Sequence, residues 1–207
     1  MRRVRATLWA IAAIAIGSLH ALGAANPAED SDLPQAAPGQ LLIAAPEMGD
    51  PRFSHTVILL VRHERSGAFG LIVNRPVETV PLARLLGDLG ESSDGASGTI
   101  AVFAGGPVET AIGFVLHSAE YHLPETMAIG DKLAITSSPQ VLRDIAAQHG
   151  PAKYLFAFGY AGWGPGQLED ELKQRAWFTA PGDAKLLFDG DRSTLWQDAL
   201  DRRERAL

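Results

Sequence analysis

The sequence predicts a single α+β domain on a largely antiparallel or mixed sheet, and three observations predict it. Short apolar runs of strand length recur between Gly, Pro and Asp. Four other segments carry helical periodicity or helix-end residues, and the two kinds mix without the steady strand–helix alternation of a doubly wound fold. The chain has 207 residues, 46% hydrophobic and 20% charged, enough apolar material for one sizeable core, which excludes a disordered chain. It has no cysteine, which excludes a disulfide scaffold, thiolate catalysis, Fe–S clusters and Cys-based zinc modules, and leaves a lipoprotein anchor nothing to be attached to.

Taken in order, Arg2, Arg3 and Arg5 precede an uncharged run over 6–22 that includes Leu8, Trp9, Ile11, Ile14, Ile16, Leu19 and Leu22, followed by Gly23-Ala24-Ala25. Basic start, apolar middle and small residues at a cut site are the parts of a secretory signal peptide, and the run is short for a bilayer span. Residues 1–25 are therefore expected to be cleaved, leaving a periplasmic protein without a stable membrane span. The alternatives are an uncleaved anchor, or a later start that makes the protein cytoplasmic. Cleavage removes three arginines and no acid, so the formal charge of −6 becomes −9. Residues 26–39, with Pro27, Pro34 and Pro38, form an expected flexible linker, and 40–207 the domain.

Strands are predicted at 41–45, 56–61, 69–73, 100–104, 113–116, 132–136 and 154–158. They read as continuous apolar runs more than as strict alternation, which predicts strands covered on both faces. A helix over 81–89 follows from Leu82, Leu85, Leu86 and Leu89 at i, i+3, i+4 and i+7. Ser138-Pro139 opens and Gly150 closes a second helix. A third, over 166–176, carries Glu169, Asp170 and Glu171 near its start, where acids favour the dipole. The last, over 193–203, is amphipathic through Leu195, Trp196, Ala199 and Leu200, and 91–98 is a loop.

Five ordered motifs go beyond composition: the segment from Ala45 to Phe53 (APEMGDPRF), His63 to Pro76 (HERSGAFGLIVNRP), Gly105-Gly106-Pro107-Val108, Gly113 to His117 (GFVLH), and Tyr160 to Glu171 (YAGWGPGQLEDE) with Trp177 after it. In this order they resemble the YqgE/AlgH family of bacterial proteins, over about 40–196. The resemblance implies a single α+β domain whose bifurcated mixed sheet forms a pseudo-barrel flanked by helices. It implies no reaction and no cofactor; the family's frequent label is that of a transcriptional regulator. The chain departs from the family twice. Family members begin close to the first strand, without a leader, and are usually cytoplasmic; and Arg175 stands where the family often has Asn or Asp.

Read as chemistry, His63 to Gly70 forms a hairpin with Gly67 available for positive φ. Asn74 and Arg75 close a strand, where an amide beside a guanidinium suits a carboxylate or phosphate; alternatively Asn74 satisfies a turn and Arg75 pairs with Glu78 or Glu109. Gly105-Gly106-Pro107 lacks the Lys-Ser/Thr of a P-loop and is expected to be a tight turn. Tyr160, Gly162, Trp163 and Gln167 join a buried strand to a helix start. Free N–H groups between aromatic walls there suit a small anionic or amide ligand, against the plainer account that Trp163 and Trp177 only pack on the helix.

His117, Glu120 and His122 do not have helical metal-ligand spacing, so no metal site is expected. No H-E-x-x-H, G-x-S-x-G or S-x-x-K motif is present, and no catalytic residue is assigned. Glu169 is a candidate helix cap. Arg202, Arg203 and Arg205 are interleaved with Asp198, Asp201 and Glu204, a solvated face and not a basic stripe, so nucleic acid is not an expected partner. The favoured function is a non-enzymatic binding or regulatory protein with a small anionic ligand or a protein partner. The alternatives are a cytosolic transcriptional regulator, and an enzyme using His63, His117 or Glu169 as acid or base.

Overall fold

The computed structural model describes residues 36–203; the expected leader and 26–35 of the expected linker lie outside the described residues. In chain order the elements are β1 (Gln40–Ala44), β2 (Val57–Glu64), β3 (Gly67–Ile72), β4 (Pro76–Pro81), α1 (Leu82–Asp88), β5 (Thr99–Ala104), β6 (Val108–Ser118), β7 (Met127–Ile129), β8 (Leu133–Thr136), α2 (Gln140–Ala146), β9 (Tyr154–Trp163), α3 (Gln167–Lys173), β10 (Trp177–Pro181), α4 (Ala184–Asp189) and α5 (Leu195–Asp201). The strands follow the path β10-β1-β2-β3-β9-β6-β8-β7, with β5 joined to β9 and β4 to β5. Every pair is antiparallel except β5–β9, so the sheet is mixed.

The sheet bifurcates at β9. One edge of β9 pairs with β6; the other pairs with β5 through Phe156, Ala157 and Phe158, then with β3 through Ala161, Gly162 and Trp163. The switch falls at Gly159, which adopts φ +72. Here Gly105 N–H donates to Phe158 O at 2.8 Å and Ile72 N–H donates to Gly105 O at 2.8 Å. The expected turn at Gly105-Gly106-Pro107 is thus also a backbone crossing: a Cβ on Gly106 would lie 2.0 Å from the Tyr160 carbonyl carbon.

β1 and β2 are buried on both faces, as their unbroken apolar runs predict. The alternation of side chains sorts them into two cores. Leu41, Ile43, Val57 and Leu59 face the inside of the curled sheet with Leu71, Leu116 and Leu187. Leu42, Ala44, Ile58 and Leu60 face outward to Leu168, Trp163 and Trp177. A third core joins α1 and α2 to β4, β5 and β9 through Leu82, Leu86, Leu142, Val80, Ile100 and Phe156.

Three strands and one helix lie outside the predicted set. β4 is exposed at Pro76–Thr79 and pairs only with β5, the edge position in which its flanking prolines are tolerated. β7 has three residues, and β10 is the far edge on β1, so neither shows an apolar run. α4 starts at Asp183, whose carboxylate accepts from Lys185 N–H at 2.9 Å. β6 and β9 run longer than predicted because Glu109–Ala111 and Gly162 are exposed.

The last part of the expected linker is folded onto the domain. Ala36 is buried, its carbonyl accepts from His63 Nδ1 at 2.7 Å, and Gly39 N–H donates to Leu60 O at 2.8 Å. Residues 36–39 thus pack against β2, where these backbone groups find partners. Arg175, at the end of α3, takes φ +59, a region in which Asn and Asp are the better tolerated non-glycine residues.

Candidate functional site

The open end of the curled sheet holds a cavity of about 870 Å³, within the usual range of small-ligand sites. Its floor is one aromatic from each of three strands: Phe69 of β3, Phe114 of β6 and Tyr160 of β9. Their ring centroids lie 4.9 Å (Phe69–Tyr160), 5.6 Å (Phe69–Phe114) and 6.1 Å (Phe114–Tyr160) apart, in tilted or edge contacts. The β2–β3 hairpin forms one wall; Met127, Ile135 and Ser137–Pro139 form the other. Gly162 pairs with Phe69 and leaves room for the Tyr160 ring, since a Cβ there would sit 3.1 Å from its Cε2. Gly67 closes the hairpin against β9: a Cβ would be 2.2 Å from Trp163 O.

Three charged side chains of the lining are unpaired among the described residues. Arg62 is half-buried, and Glu109 and Glu125 stand at the rim; none makes a hydrogen bond or ion pair, whereas Glu91, also lining, is paired with Arg143. Burial pushes the Tyr160 phenol above its usual pKa, with the Glu109 carboxylate adding to the shift and Arg62 opposing it, so both charges act on one ring. Glu109 lies in the irregular register between Val108 and Gly113 and adopts φ +46, strained for a residue with a Cβ.

Of the residues singled out from sequence, Tyr160, Gly162 and Trp163 line this cavity; Asn74, Arg75 and Gln167 do not. Asn74 Oδ1 accepts from Val57 N–H at 2.9 Å and its Nδ2 donates to His55 O at 2.8 Å. Arg75 donates to Arg52 O and, at 3.0 Å, to Ser54 O. Both side chains therefore pin the loop before β2, and the anion site expected from the pair is corrected: their donors go to backbone carbonyls, and neither Glu78 nor Glu109 is engaged. Gln167 Oε1 accepts from Gly164 N–H at 3.1 Å and its Nε2 donates to Glu171 Oε1 at 2.9 Å, so its amide ties the turn before α3 to the helix.

The acids of α3 hold the fold. Glu171 Oε2 accepts from Trp163 Nε1 at 2.8 Å and from Trp177 Nε1 at 2.7 Å, joining β9 to β10. Glu169 is not a helix cap; its Oε1 lies 3.0 Å from His63 Nε2, in a nearly buried pair. Both the plainer account of the two tryptophans and the ligand account thus have residues in place, since Trp163 packs on α3 and also borders the cavity.

His117 is fully buried in a directed chain of hydrogen bonds. Leu123 N–H donates to Thr126 Oγ1, which lies 2.8 Å from Thr136 Oγ1, which lies 2.8 Å from His117 Nε2; Nδ1 donates to Ser118 O at 2.9 Å. The carbonyl only accepts, so Nδ1 carries the proton and Nε2 accepts from Thr136 in a neutral ring. Burial pushes the His117 pKa below its usual 6.5, against the raising effects of the Ser118 carbonyl and Glu120 and with His122 adding to the fall. The unfolded chain then binds the proton more tightly than the folded one, so stability rises with pH through this group. Unfolding midpoints are expected to drop as pH falls below about 6.5, and His117→Gln to flatten that part of the profile; an unchanged slope in the variant would remove the assignment.

Arg62, Glu109, Phe69 and Phe114 were not singled out as ligand residues by sequence reasoning. One signal existed for Arg62, a guanidinium breaking the apolar run of β2. Among the described residues no group of three or more His, Asp or Glu is arranged to hold a metal ion, and no helix is long and apolar enough to cross a membrane.

A branched mixed sheet curled into a half-barrel, with helices outside and an aromatic-lined cavity, defines an α+β class of half-barrel domain. The chain belongs to the AlgH-like family, whose model matches residues 41–206. It is 44% identical over 151 residues to a UPF0301 protein of Rhodospirillum rubrum, covering 73% of this chain and 79% of that protein. It is 42% identical over 161 residues to a UPF0301 protein of Sphingopyxis alaskensis, covering 78% and 86%. The solution structure of the AlgH protein from Pseudomonas aeruginosa is similar with TM-score 0.68 at 41% identity, over 81% of this chain and 91% of that one. A Corynebacterium diphtheriae crystal structure, at 22% identity, shares the fold with TM-score 0.66, over 83% and 90%.

Proposed function

We propose that this protein is a non-catalytic binding or regulatory protein, exported to the periplasm, whose cavity takes a small ligand with an anionic group held by Arg62. One observation carries the reading: an aromatic-floored cavity with an unpaired half-buried guanidinium, while His63, His117 and Glu169, the acid–base candidates of the sequence, are engaged elsewhere. His63 with Glu169, His117 with Thr136, and Glu171 with two indoles are each part of the packing and do not line the cavity. Export rests on the basic, apolar and small-residue order of 1–25.

The expected result of a thermal-shift screen against a small-molecule set rich in carboxylates is a midpoint rise for at least one compound, lost in Tyr160→Ala and weakened in Arg62→Gln. A set that stabilises both variants as well as the parent protein would move the site elsewhere. Fractionation of the native host with intact mass should find a periplasmic chain lacking about 25 residues, the length of a typical leader. A full-length cytoplasmic chain would end the export half of the proposal.

A further inference from the structure

We infer that the cavity binds a zwitterion with an aromatic or apolar body, of the short-peptide class: a carboxylate on Arg62, an ammonium at Glu109 and Glu125, and the body between them on Phe69, Phe114 and Tyr160. This rests on the binding reading above and specifies its ligand.

Three observations lead there. First, the unpaired charges of the lining have opposite signs. Arg62 and Glu109 both act on the Tyr160 ring, yet they make no ion pair with one another. A half-buried guanidinium and a neighbouring carboxylate that do not pair leave five N–H donors and two acceptor oxygens for something that enters between them. A simple anion would meet Arg62 but also two carboxylates of the same lining, and a simple cation would meet the guanidinium. A molecule with both charges satisfies both ends.

Second, Glu109 is held where glycine would be at ease. At φ +46 in an irregular stretch of β6 it keeps a left-handed backbone that costs stability, and its side chain lines the cavity. Its side chain makes no hydrogen bond among the described residues. Strain retained at a charged cavity residue is expected where the charge is used.

Third, the cavity is too large for one amino acid. Its volume of about 870 Å³ has room for two to four residues of an extended peptide, and its floor of three tilted rings suits an aromatic side chain. Ser137 and Ser138 line the opposite wall, where the Ser138 hydroxyl accepts from Gln140 N–H at 3.4 Å.

The test is calorimetric titration of the purified protein with the dipeptide Phe-Phe, its N-acetyl form, its C-terminal amide and the doubly capped form. The free dipeptide is expected to bind, and each cap to weaken it at least about tenfold, the low end for a lost charge-assisted hydrogen bond. Arg62→Gln should remove the sensitivity to amidation, and Glu109→Gln combined with Glu125→Gln the sensitivity to acetylation, each leaving the other. Glu109→Gly combined with Glu125→Gln should lose the ammonium contact without a fall in unfolding midpoint, which keeps the result apart from misfolding. If the doubly capped form binds as tightly and still depends on Tyr160, the zwitterion is wrong, and of the binding reading the cavity stands while the anionic group on Arg62 falls. If no member binds while the carboxylate screen gives a Tyr160-dependent compound, the peptide class is wrong; if both are empty, both readings fall.

Discussion

Gly159→Ala is expected to destabilise the protein by about 3 kcal/mol or more, a large part of the roughly 5–15 kcal/mol that holds an ordinary domain together. Two costs add. A left-handed backbone with a Cβ costs about 1–2 kcal/mol. Forcing the new atom into packed surroundings costs about 1–3 kcal/mol more, and here it would lie 2.5 Å from Gly106 O, a backbone atom of the crossing turn between β5 and β6. Gly90→Ala is the matched control, because Gly90 has a similar φ of +78 and nothing within 4 Å of its added Cβ. It should cost only the conformational part. Urea unfolding of the two variants separates the terms, and equal losses would show that the crossing at Gly106 does not constrain β9.

Glu171→Ala is expected to cost about 3 kcal/mol through a different mechanism, since each buried donor left without an acceptor costs about 1–3 kcal/mol. Trp163 and Trp177 are 6% and 3% exposed, and both indole N–H groups end on the same Glu171 oxygen. The carboxylate thereby ties the end of β9 to the start of β10 and fixes the rings, whose centroids are 6.0 Å apart at 80°. Glu171→Gln keeps an oxygen for the indoles but turns an amide toward Gln167 Nε2, so it should lose less, about 1 kcal/mol. Tryptophan fluorescence during denaturation reads both variants; an alanine variant as stable as the parent would mean the indoles find water.

How far the sequence carried the fold follows from where each element sits. β1, β2, β3 and the core of β9 were legible because both of their faces are buried, which leaves continuous apolar runs. β4, β7 and β10 were not, because edge strands bury one face or none and their identity comes from hydrogen bonds to a neighbour. The site divides in the same way. Tyr160, Gly162 and Trp163 stood out as aromatics among glycines within one short stretch, and they do line the cavity. Asn74 and Arg75 stood out as polar residues at a strand end, yet their partners are backbone atoms of 52–57 that no local pattern announces. Glu169 had the position of a helix cap and a partner in His63, on a strand far away in sequence.

By itself, the sequence determined the class of fold, the family, the strongly buried strands and the turns that demand glycine, because each depends on local composition and spacing. Only the tertiary structure decided which polar groups are spent and which are left over. Hydrogen-bond partners are drawn from segments distant along the chain, so Glu171 and Asn74 are consumed in holding strands and loops, while Arg62 and Glu109 reach the cavity unpaired. Chemical function at this site belongs to the remainder, and a remainder is known only once every other pairing has been made.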